Sequence, residues 1–261
     1  MRVHFYKYQA AGNDFVVIDN RNMGLNISID QVRSICDRRF GVGGDGLILI
    51  ENDSSADFKM VYFNGDGSQS LCGNGCRTAI DLASKLEMIN GSTVFSAHDG
   101  LHEGTILKDG LIRLQMNNVN EVKRIGEDFF IDTGSPHFIK FVTSLEDYPV
   151  VEEGKKVRYS QAFQPRGTNV NFVQLLESNS IAIRTYERGV EDETLSCGTG
   201  ITAAALAAHF MGFASPIQVK ARGGDLQVEF KAQPNSGQAG RFQDIFLIGP
   251  AKMVYEGDLE L

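Results

Sequence analysis

The chain has 261 residues, of which 42% are hydrophobic and 22% are charged, and its formal net charge is −8. This composition predicts a folded globular protein with one large domain or two of ordinary size, and it argues against intrinsic disorder. The acidic balance argues against binding to a nucleic-acid backbone, which needs a basic surface, so no nucleic-acid partner is expected.

The sequence predicts a soluble, cytoplasmic protein with no membrane partner. No apolar run follows Arg2, so no secretory signal is expected. The longest run of small apolar residues, 201–214, contains His209 and is too short to span a bilayer. Four cysteines are too few for a disulfide framework in a chain of this length, so we expect thiols in a reducing compartment.

Short segments rich in β-branched and aromatic residues, bounded by Gly, Asn or Asp, predict strands along the whole chain. In chain order they are 3–9, 15–19, 47–51, 57–63, 111–116, 129–132, 138–142, 170–176, 181–187, 217–221, 226–230 and 244–247. Helical patterns are fewer: residues 29–38, with Asp30 as the cap, and two helices that begin at Gly73 and Gly198. Many strands and few helices, without strict alternation, predict an α+β fold.

Residues 41–46 have the spacing Gly-x-Gly-x-x-Gly, which in other proteins binds a dinucleotide. That function requires the motif to follow a strand and to open a helix. Here the motif follows the predicted helix 29–38 and precedes the predicted strand 47–51. We therefore interpret it as a glycine-rich turn.

A short motif at the start of a predicted helix occurs twice in the chain. Residues 72–75 read Cys-Gly-Asn-Gly, and residues 197–200 read Cys-Gly-Thr-Gly, about half a chain later. A candidate strand precedes each copy, 58–64 before the first and 181–187 before the second. This recurrence predicts two similar halves.

Two cysteines at helix N-termini indicate acid/base chemistry. The positive end of a helix stabilises a thiolate, so the pKa of such a cysteine falls from roughly 8.5 towards neutrality. Glycines that follow the cysteine let an anion approach the helix N–H groups closely. A thiolate beside a carboxylate-binding site suits removal of a proton next to a carboxylate, and we expect Cys72 and Cys197 to form this pair.

Structural roles are the alternative for each cysteine. A single cysteine at a helix start is more often packing than chemistry, and it is the repeated context that favours catalysis by Cys72 and Cys197. Cys36 lies on the apolar face of its predicted helix, and packing is enough to explain Cys76. A metal site at Cys72 and Cys76 lacks a second pair of ligands at usable spacing, so no metal is expected.

Several short segments carry a family pattern: residues 12–15, 63–68, 72–75, 136–137, 168–172, 187–189 and 193–200. In this order and spacing they resemble the diaminopimelate epimerase family across essentially the whole chain. The resemblance implies two pseudo-symmetric halves, each with mostly antiparallel β-strands wrapped around a central helix, and a substrate cleft between them. It assigns 1–117 and 250–261 to the half with Cys72, and 118–249 to the half with Cys197.

The resemblance also implies a reaction and the residues that carry it. Two thiols act as acid and base on opposite faces of the substrate α-carbon, with no pyridoxal phosphate, metal or other cofactor. The residues expected to hold the reacting carboxylate at the helix ends are Gly73, Asn74, Gly198 and Thr199. Those expected to bind the distant amino-acid end of this small-molecule substrate are Asn13, Asn64, Asn169 and Arg188. Those expected to tune the pKa values of the thiols are His137 and Glu187, and Glu187 is also expected to contact the substrate.

Ordinary structural roles remain open for several of these side chains. Asn13 and Asn64 are next to glycine and are typical of turns. Arg188 beside Glu187 also fits a surface charge pair, and His137 after a proline also fits a loop or packing residue.

The chain departs from the family pattern at a few positions. Gly46 stands where many members have Gln, Ser135 where many have Asn, and Gln9 where His is frequent. The segment 187–197 is one residue longer than in many members. These differences leave the thiol chemistry unchanged, and they affect the expected contacts with the substrate.

The leading hypothesis is interconversion of LL- and meso-2,6-diaminopimelate, a step in lysine and peptidoglycan biosynthesis. The first alternative is a racemase of another amino acid, such as proline or histidine, although proline has no second end for Arg188 to bind. The distant alternative is a thiol redox or zinc-binding module. The sequence assigns neither thiol to a particular stereoisomer, and it leaves the oligomeric state open, with a homodimer among the choices.

Overall fold

The computed structural model describes residues 1–233 and 240–261. The described chain divides into two units: Met1–Leu114 with Gly249–Leu261, and Gln115–Ile248. Within the described ranges, no helix has both the length and the apolar character needed to cross a bilayer.

The described residues form strands and helices in the following order. The strands are β1 (Arg2–Ala10), β2 (Asn13–Asp19), β3 (Gly46–Glu51), β4 (Phe58–Asn64), β5 (Ser92–Ala97), β6 (Gly100–Ile106), β7 (Ile112–Gln115), β8 (Val122–Ile125), β9 (Asp128–Asp132), β10 (Pro136–Phe141), β11 (Asn169–Leu175), β12 (Ser180–Glu187), β13 (Asp192–Thr194), β14 (Ile217–Ala221), β15 (Gly224–Ala232), β16 (Phe242–Gly249) and β17 (Lys252–Glu260). The helices are α1 (Ile29–Cys36), α2 (Gly73–Lys85), α3 (Val150–Arg158) and α4 (Gly198–His209), with a 3₁₀ turn at Gln161–Phe163.

The first unit has strand order β17-β1-β2-β3-β4-β5-β6-β7. Neighbouring strands are antiparallel, except that β2 is parallel to β3 and β4 is parallel to β5. Helix α1 connects the first parallel pair, and α2 connects the second. The strand that comes last in the chain, β17, is the one that covers the edge of β1.

The second unit repeats this plan. Its strand order is β8-β9-β10-β11-β12-β14-β15-β16, with parallel pairs β10–β11 and β12–β14 and antiparallel pairs elsewhere. Helix α3 connects the first parallel pair, and α4 connects the second. The short strand β13 is added beside β12. The same succession of strand directions and helices in both units is the structural counterpart of the recurring Cys-Gly-x-Gly motif.

Strand β3 is covered on both faces, which explains its continuous apolar sequence. Leu47 and Leu49 pack in one buried cluster with residues of α1, Val32 and Ile35. Because side chains alternate along a strand, Ile48 points to the opposite face. There Ile48 packs against α2 at Gly75. If position 75 had a side chain, its Cβ would lie 3.4 Å from Ile48 Cδ1.

Helix α4 is the buried centre of the second unit. Residues 201–208 are fully buried, so the helix is apolar all round and not amphipathic, as expected for a helix enclosed by strands. Contacts with β9, β10, β11, β12, β14 and β15 surround it. Such packing fixes where the helix begins, and it therefore fixes the position of Cys197.

The residue that caps helix α1 is not the one that the sequence predicts. Ser28, not Asp30, is the N-cap of α1: its hydroxyl accepts from the N–H of Gln31 at 3.3 Å, and the Gln31 side chain accepts from the Ser28 N–H at 2.9 Å. This reciprocal capping box satisfies two N–H groups at once, whereas Asp30 lies inside the first turn. The helix ends at Cys36, two residues before the predicted end.

Candidate active site

Cys72 and Cys197 occupy the same position in their respective units. Each is the N-cap of its helix, with φ −131° and ψ 110° at Cys72 and φ −125° and ψ 109° at Cys197. Each carbonyl accepts the first helical hydrogen bond at 2.8 Å, from Cys76 and Ile201 respectively. Both cysteines are half-buried. The repeated motif therefore produces one local geometry twice.

The helix ends offer binding groups for an anion. In any α-helix the first N–H groups have no acceptor within the helix, and they carry the positive end of its dipole. The described first turns, 73–76 and 198–201, contain no acidic residue that would neutralise this end. Each half-site thus presents a thiol next to N–H groups that favour a thiolate or a bound carboxylate.

The other two cysteines are built as packing residues. Burial raises the pKa of the Cys36 thiol to about 11, and burial raises the pKa of Cys76 well above its ordinary value. Both thiols are therefore neutral near pH 7. All four cysteines are thiols, and in the part of the chain that the structure describes no three His, Cys, Asp or Glu side chains group as they would around a metal ion.

Asn13 and Asn74 are joined in the first unit. Asn74 Nδ2 donates to Asn13 Oδ1 at 2.5 Å, and Asn13 Nδ2 donates to Asp45 Oδ2 at 2.8 Å. A carboxylate only accepts hydrogen bonds, so Asp45 requires the amino group of Asn13 to face it. These contacts connect the start of α2 with the turn between β1 and β2, where sequence reasoning expects substrate contacts.

A cluster of charged residues that sequence reasoning missed supports Asn13. Arg38 binds Asp14 at 2.6 Å and Asp45 at 2.7 Å, and the largely buried Lys7 binds Asp14 at 2.7 Å. Burial alone would raise the pKa of Asp14, but its hydrogen bonds to Arg38 and Lys7 outweigh this and lower it to about 2. Two features of the sequence pointed towards this cluster: Asp45 lies in the glycine-rich turn, and Asp14 lies in the matched segment 12–15.

Asn64 holds the loop that leads to Cys72. Its Nδ2 atom donates to Ser68 Oγ at 3.0 Å and to Ser70 Oγ at 3.2 Å, and its backbone N–H donates to the Ser68 carbonyl at 2.8 Å. The turn role weighed for this residue is therefore present in the structure, and any contact with substrate would be additional to it.

In the second unit a chain of hydrogen bonds leads to the Cys197 sulfur. Asn171 Nδ2 donates to the Phe138 carbonyl at 3.1 Å and contacts His137 Nδ1 at 3.1 Å. His137 Nε2 lies 2.9 Å from Thr199 Oγ1, which lies 3.5 Å from Cys197 Sγ.

The direction of this chain follows from its fixed end. A backbone carbonyl only accepts, so the amino group of Asn171 faces Phe138 and also donates to His137 Nδ1. A neutral His137 then carries its hydrogen on Nε2 and donates it to Thr199. The hydroxyl hydrogen of Thr199 is left to point at the Cys197 sulfur, where it stabilises a thiolate.

His137 is neutral in the folded protein. It is fully buried, and burial lowers its pKa to about 3, with the Arg188 charge acting in the same direction. That His137 tunes a thiol stays a prediction. Because a neutral imidazole carries no charge, His137 can act on the sulfur only by setting the direction of the chain.

The second glycine of the second motif has a steric role. A Cβ at position 200 would lie 2.5 Å from Asn171 Oδ1 and 3.2 Å from His137 Cε1. Only a residue without a side chain lets the first turn of α4 approach the Asn171–His137 pair this closely. Gly200 therefore allows the start of α4, with Thr199 and Cys197, to lie next to His137 and Asn171.

Asn169, Glu187 and Arg188 lie close together beside this chain. Asn169 Oδ1 accepts from the Arg188 backbone N–H at 2.9 Å, and its Nδ2 atom donates to the Pro136 carbonyl at 3.1 Å. Glu187 Oε2 accepts from the Thr194 hydroxyl at 2.8 Å. The Arg188 guanidinium donates to the Arg166 carbonyl at 3.2 Å, and this hydrogen bond orients the planar guanidinium group.

Gly46 lies where the first unit has no room for a side chain. A Cβ at this position would lie 2.5 Å from the Phe63 carbonyl oxygen and 2.5 Å from Cε2 of Tyr62. The buried Tyr62 ring therefore occupies the space that a side chain at position 46 would need. Glutamine, the residue expected here from the family pattern, does not fit unless this ring moves.

Comparison with known proteins places the chain in a family. A model of the diaminopimelate epimerase family matches residues 5–122 and 129–254. The diaminopimelate epimerase of Flavobacterium psychrophilum is 50% identical over 258 residues, which covers 96% of this chain and 98% of that protein. That of Chlorobaculum tepidum is 40% identical, covering 96% of this chain and 99% of its own length.

The chain belongs to the diaminopimelate epimerase family. The resemblance inferred from the short motifs is therefore confirmed, and so is the predicted α+β fold with two repeated halves.

Solved structures agree on the fold. A phenazine biosynthesis protein of the PhzF family from Bacillus anthracis superposes with a TM-score of 0.77 at 14% identity, with complete coverage of both chains. A probable proline racemase from Agrobacterium radiobacter K84 gives a TM-score of 0.70 at 14% identity, covering 99% of this chain and 93% of the other. At such low identity, the similarity of these two structures to this chain shows a common architecture and nothing more.

Acid should destabilise the protein through His137. Its pKa is about 3 when folded and roughly 6.5 when unfolded, so between these values only the unfolded chain binds the proton. The free energy of unfolding should then fall as pH is lowered from about 6.5, by up to about 1.4 kcal/mol per pH unit from this residue. Urea unfolding at several pH values should show a shallower slope for His137→Gln. Parallel profiles for the two proteins would contradict the neutral, buried state.

Gly46→Ala should lower the free energy of unfolding by about 1–3 kcal/mol, because the new methyl group displaces the Tyr62 ring and the Phe63 carbonyl. The matched control is Gly65→Ala, where the nearest atom to a new Cβ, the Asp45 carbonyl oxygen, is at an ordinary 3.5 Å. Urea unfolding of both variants measures the difference. Equal stability of the two variants would show that position 46 has room for a side chain.

Proposed function

We propose that this chain interconverts LL- and meso-2,6-diaminopimelate with two thiols and no cofactor, as a step towards lysine and peptidoglycan. One observation carries the proposal: Cys72 and Cys197 are N-caps of equivalent helices in two repeated units. Family membership supports the substrate, because the relatives with 50% and 40% identity over nearly the full chain are diaminopimelate epimerases.

The proposed reaction exchanges a proton between the two sulfurs through the substrate. One cysteine, as thiolate, removes the α-proton, while the other, as thiol, delivers its proton to the opposite face of the same carbon. The α-proton of an amino acid is a very weak acid, so charge that develops on the carboxylate must be stabilised by helix N–H groups. We assign this task to the first turns of α2 and α4, at Gly73, Asn74, Gly198 and Thr199. After each turnover the protonation states of the sulfurs are reversed.

The environment of each sulfur favours its task. The Thr199 hydroxyl, directed by neutral His137, donates towards Cys197 and favours the thiolate. Glu187 is the second residue that we propose to tune the thiols, and its carboxylate is positioned by the Thr194 hydroxyl.

The distant end of the substrate is proposed to bind at Asn13, Asn64, Asn169 and Arg188. Diaminopimelate has a second amino-acid end, and the planar guanidinium of Arg188 matches its carboxylate with two parallel hydrogen bonds. Among the described residues, no carboxylate of the protein forms an ion pair with Arg188. Proline has no second carboxylate, so a proline racemase would leave this guanidinium unused.

The reaction requires both sulfurs to be reduced, so we propose that the protein works in the cytoplasm, where thiols persist.

Incubation with diaminopimelate in heavy water tests the reaction itself. We expect deuterium at the substrate α-carbon, together with conversion of the LL isomer to the meso isomer, both followed by NMR. Proline and histidine should exchange far more slowly under the same conditions. If diaminopimelate keeps its α-proton while both thiols are shown to be reduced, the proposed function is wrong. Faster exchange of proline would favour the racemase alternative.

Removal of either sulfur should stop epimerisation while the protein stays folded. Because each thiol acts as a general acid or base, Cys72→Ala and Cys197→Ala should each lose at least about 100-fold in kcat. The matched control is Cys36→Ala, which removes a neutral, buried thiol and should retain activity. Circular dichroism verifies folding. Loss of activity in Cys36→Ala, with activity retained in Cys72→Ala, would overturn the assignment.

A further inference from the structure

Arg77 is a fully buried cation one turn into α2, close to Cys72 in the sequence, and the proposed reaction gives it no role. Its Nη2 atom donates to Asn74 Oδ1 at 2.6 Å, and its Nε atom lies 3.4 Å from the Pro250 carbonyl. Both acceptors are uncharged. The third nitrogen, Nη1, is buried and has no hydrogen-bond partner among the described residues.

A buried guanidinium without a carboxylate is unusual, because removal of a charge from water is costly unless an anion compensates it. In the described part of the chain, Arg77 forms no ion pair with Asp or Glu. Burial lowers the pKa of Arg77 to about 10, and the thiols of Cys72 and Cys76 act in the opposite direction. Arg77 therefore remains a cation near pH 7, and its candidate counter-charges are the two thiols.

Cys72 is the thiol that can supply the negative charge. Cys76 is fully buried, and burial raises its pKa well above the ordinary value, so it stays neutral. Cys72 is half-buried and is the N-cap of the helix, where the dipole also favours a thiolate. A buried cation five positions further along the same helix adds a positive charge on the side of the thiolate.

Arg77 also sets the direction of the amide pair in the first half-site. A guanidinium only donates, so Asn74 must turn its oxygen towards Arg77 and its amino group towards Asn13. Asn13 then turns its amino group towards Asp45, which only accepts. With a donor at one end and an acceptor at the other, neither amide in the chain can flip without breaking a hydrogen bond.

We propose that Arg77 is a positioning residue of the first half-site, whose buried charge favours the Cys72 thiolate and whose Nη2 donor fixes the orientation of Asn74 and, through it, Asn13. The consequence for catalysis rests on the proposed function. The effect on Cys72 does not, because it concerns the reactivity of a thiol in the resting protein.

The test measures the rate of alkylation of Cys72 by iodoacetamide as a function of pH. The thiolate attacks the carbon that carries iodine, a sulfur–carbon bond forms and iodide leaves, so the rate reports the thiolate fraction. Peptide mass spectrometry after quenching separates Cys72 from Cys197. Two variants divide the roles of Arg77. Arg77→Gln removes the charge and keeps an amide that can donate to Asn74, whereas Arg77→Lys keeps the charge on a shorter side chain that lacks the Nη2 donor to Asn74.

In Arg77→Gln, the pH of half-maximal alkylation of Cys72 should rise by about one unit, because a neighbouring positive charge is lost. In Arg77→Lys this pH should stay near that of the wild type. The matched control is Lys85→Gln, which removes one positive charge from the other end of the same helix, roughly 20 Å away, and should leave the profile unchanged. The profile of Cys197 should be the same in all four proteins and serves as the internal reference.

The orientation of the amides is read from steady-state kinetics. Arg77→Lys should raise KM for diaminopimelate by about tenfold, the equivalent of one charged hydrogen bond, with a smaller change in kcat. Circular dichroism and thermal melting verify that each variant is folded. If Arg77→Gln does not fold, Arg77→Met, with a neutral side chain that suits a buried position, replaces it in the alkylation test with the same expected shift.

An unshifted Cys72 profile in folded Arg77→Gln, or an unchanged KM in folded Arg77→Lys, would overturn the corresponding part of the proposal. Absence of α-proton exchange in the wild type, combined with a shifted Cys72 profile in Arg77→Gln, would instead refute the proposed function and leave the charge effect standing.

Discussion

The structure depends on one constraint: the first N–H groups of a helix have no partner within that helix. In most proteins a Ser, Thr, Asp or Asn side chain satisfies them, as Ser28 does for α1. Helices α2 and α4 have cysteine at that position, followed by glycine, so this means of capping is absent at both. Because both helices are enclosed by strands, their starts are held in place by packing, and the open helix ends are available for an anion.

The two half-sites share a backbone geometry but differ in what surrounds the sulfur. In the first half-site, the proposed influence on Cys72 is the full charge of Arg77, a buried guanidinium in the same helix. Cys197 receives a hydrogen bond from a neutral chain that begins at the Phe138 carbonyl and passes through His137. The two halves of a repeated fold thus surround their cysteines with different groups. The relationship between the halves lies in the strand order and helix positions, and not in the side chains around the thiols.

The sequence predicted those features that depend on local patterns. The helices that begin at Gly73 and Gly198, and the buried strand β3, follow from glycine placement and from a continuous apolar run. Helix α3 was missed because it is largely charged, with only Val150 and Gly154 buried. Strands β5 and β6 were missed because Ser, His, Glu and Gly interrupt their apolar pattern, and pairing between them supplies the stability that the sequence pattern lacks.

The candidate site was predictable where its residues are contiguous, and unpredictable where they meet through the fold. Cys72, Asn74, Cys197 and Thr199 lie in one repeated motif. By contrast, Asp45 supports Asn13 from a turn more than thirty residues away, which no local pattern indicates. The roles of Asn171 and Arg77 depend on hydrogen-bond direction and on burial in three dimensions.

The pairing of β17 with β1 has a consequence for synthesis on the ribosome. The first unit contains residues from both ends of the described chain, so β1 emerges early and its outer edge waits for a partner that is translated only after the entire second unit. Meanwhile Val3 and Phe5, which belong to the buried core of the finished protein, lie in an incomplete sheet. The second unit is continuous and can complete its sheet first. The order of translation therefore lets the half with Cys197 complete its sheet before the half with Cys72 can do so.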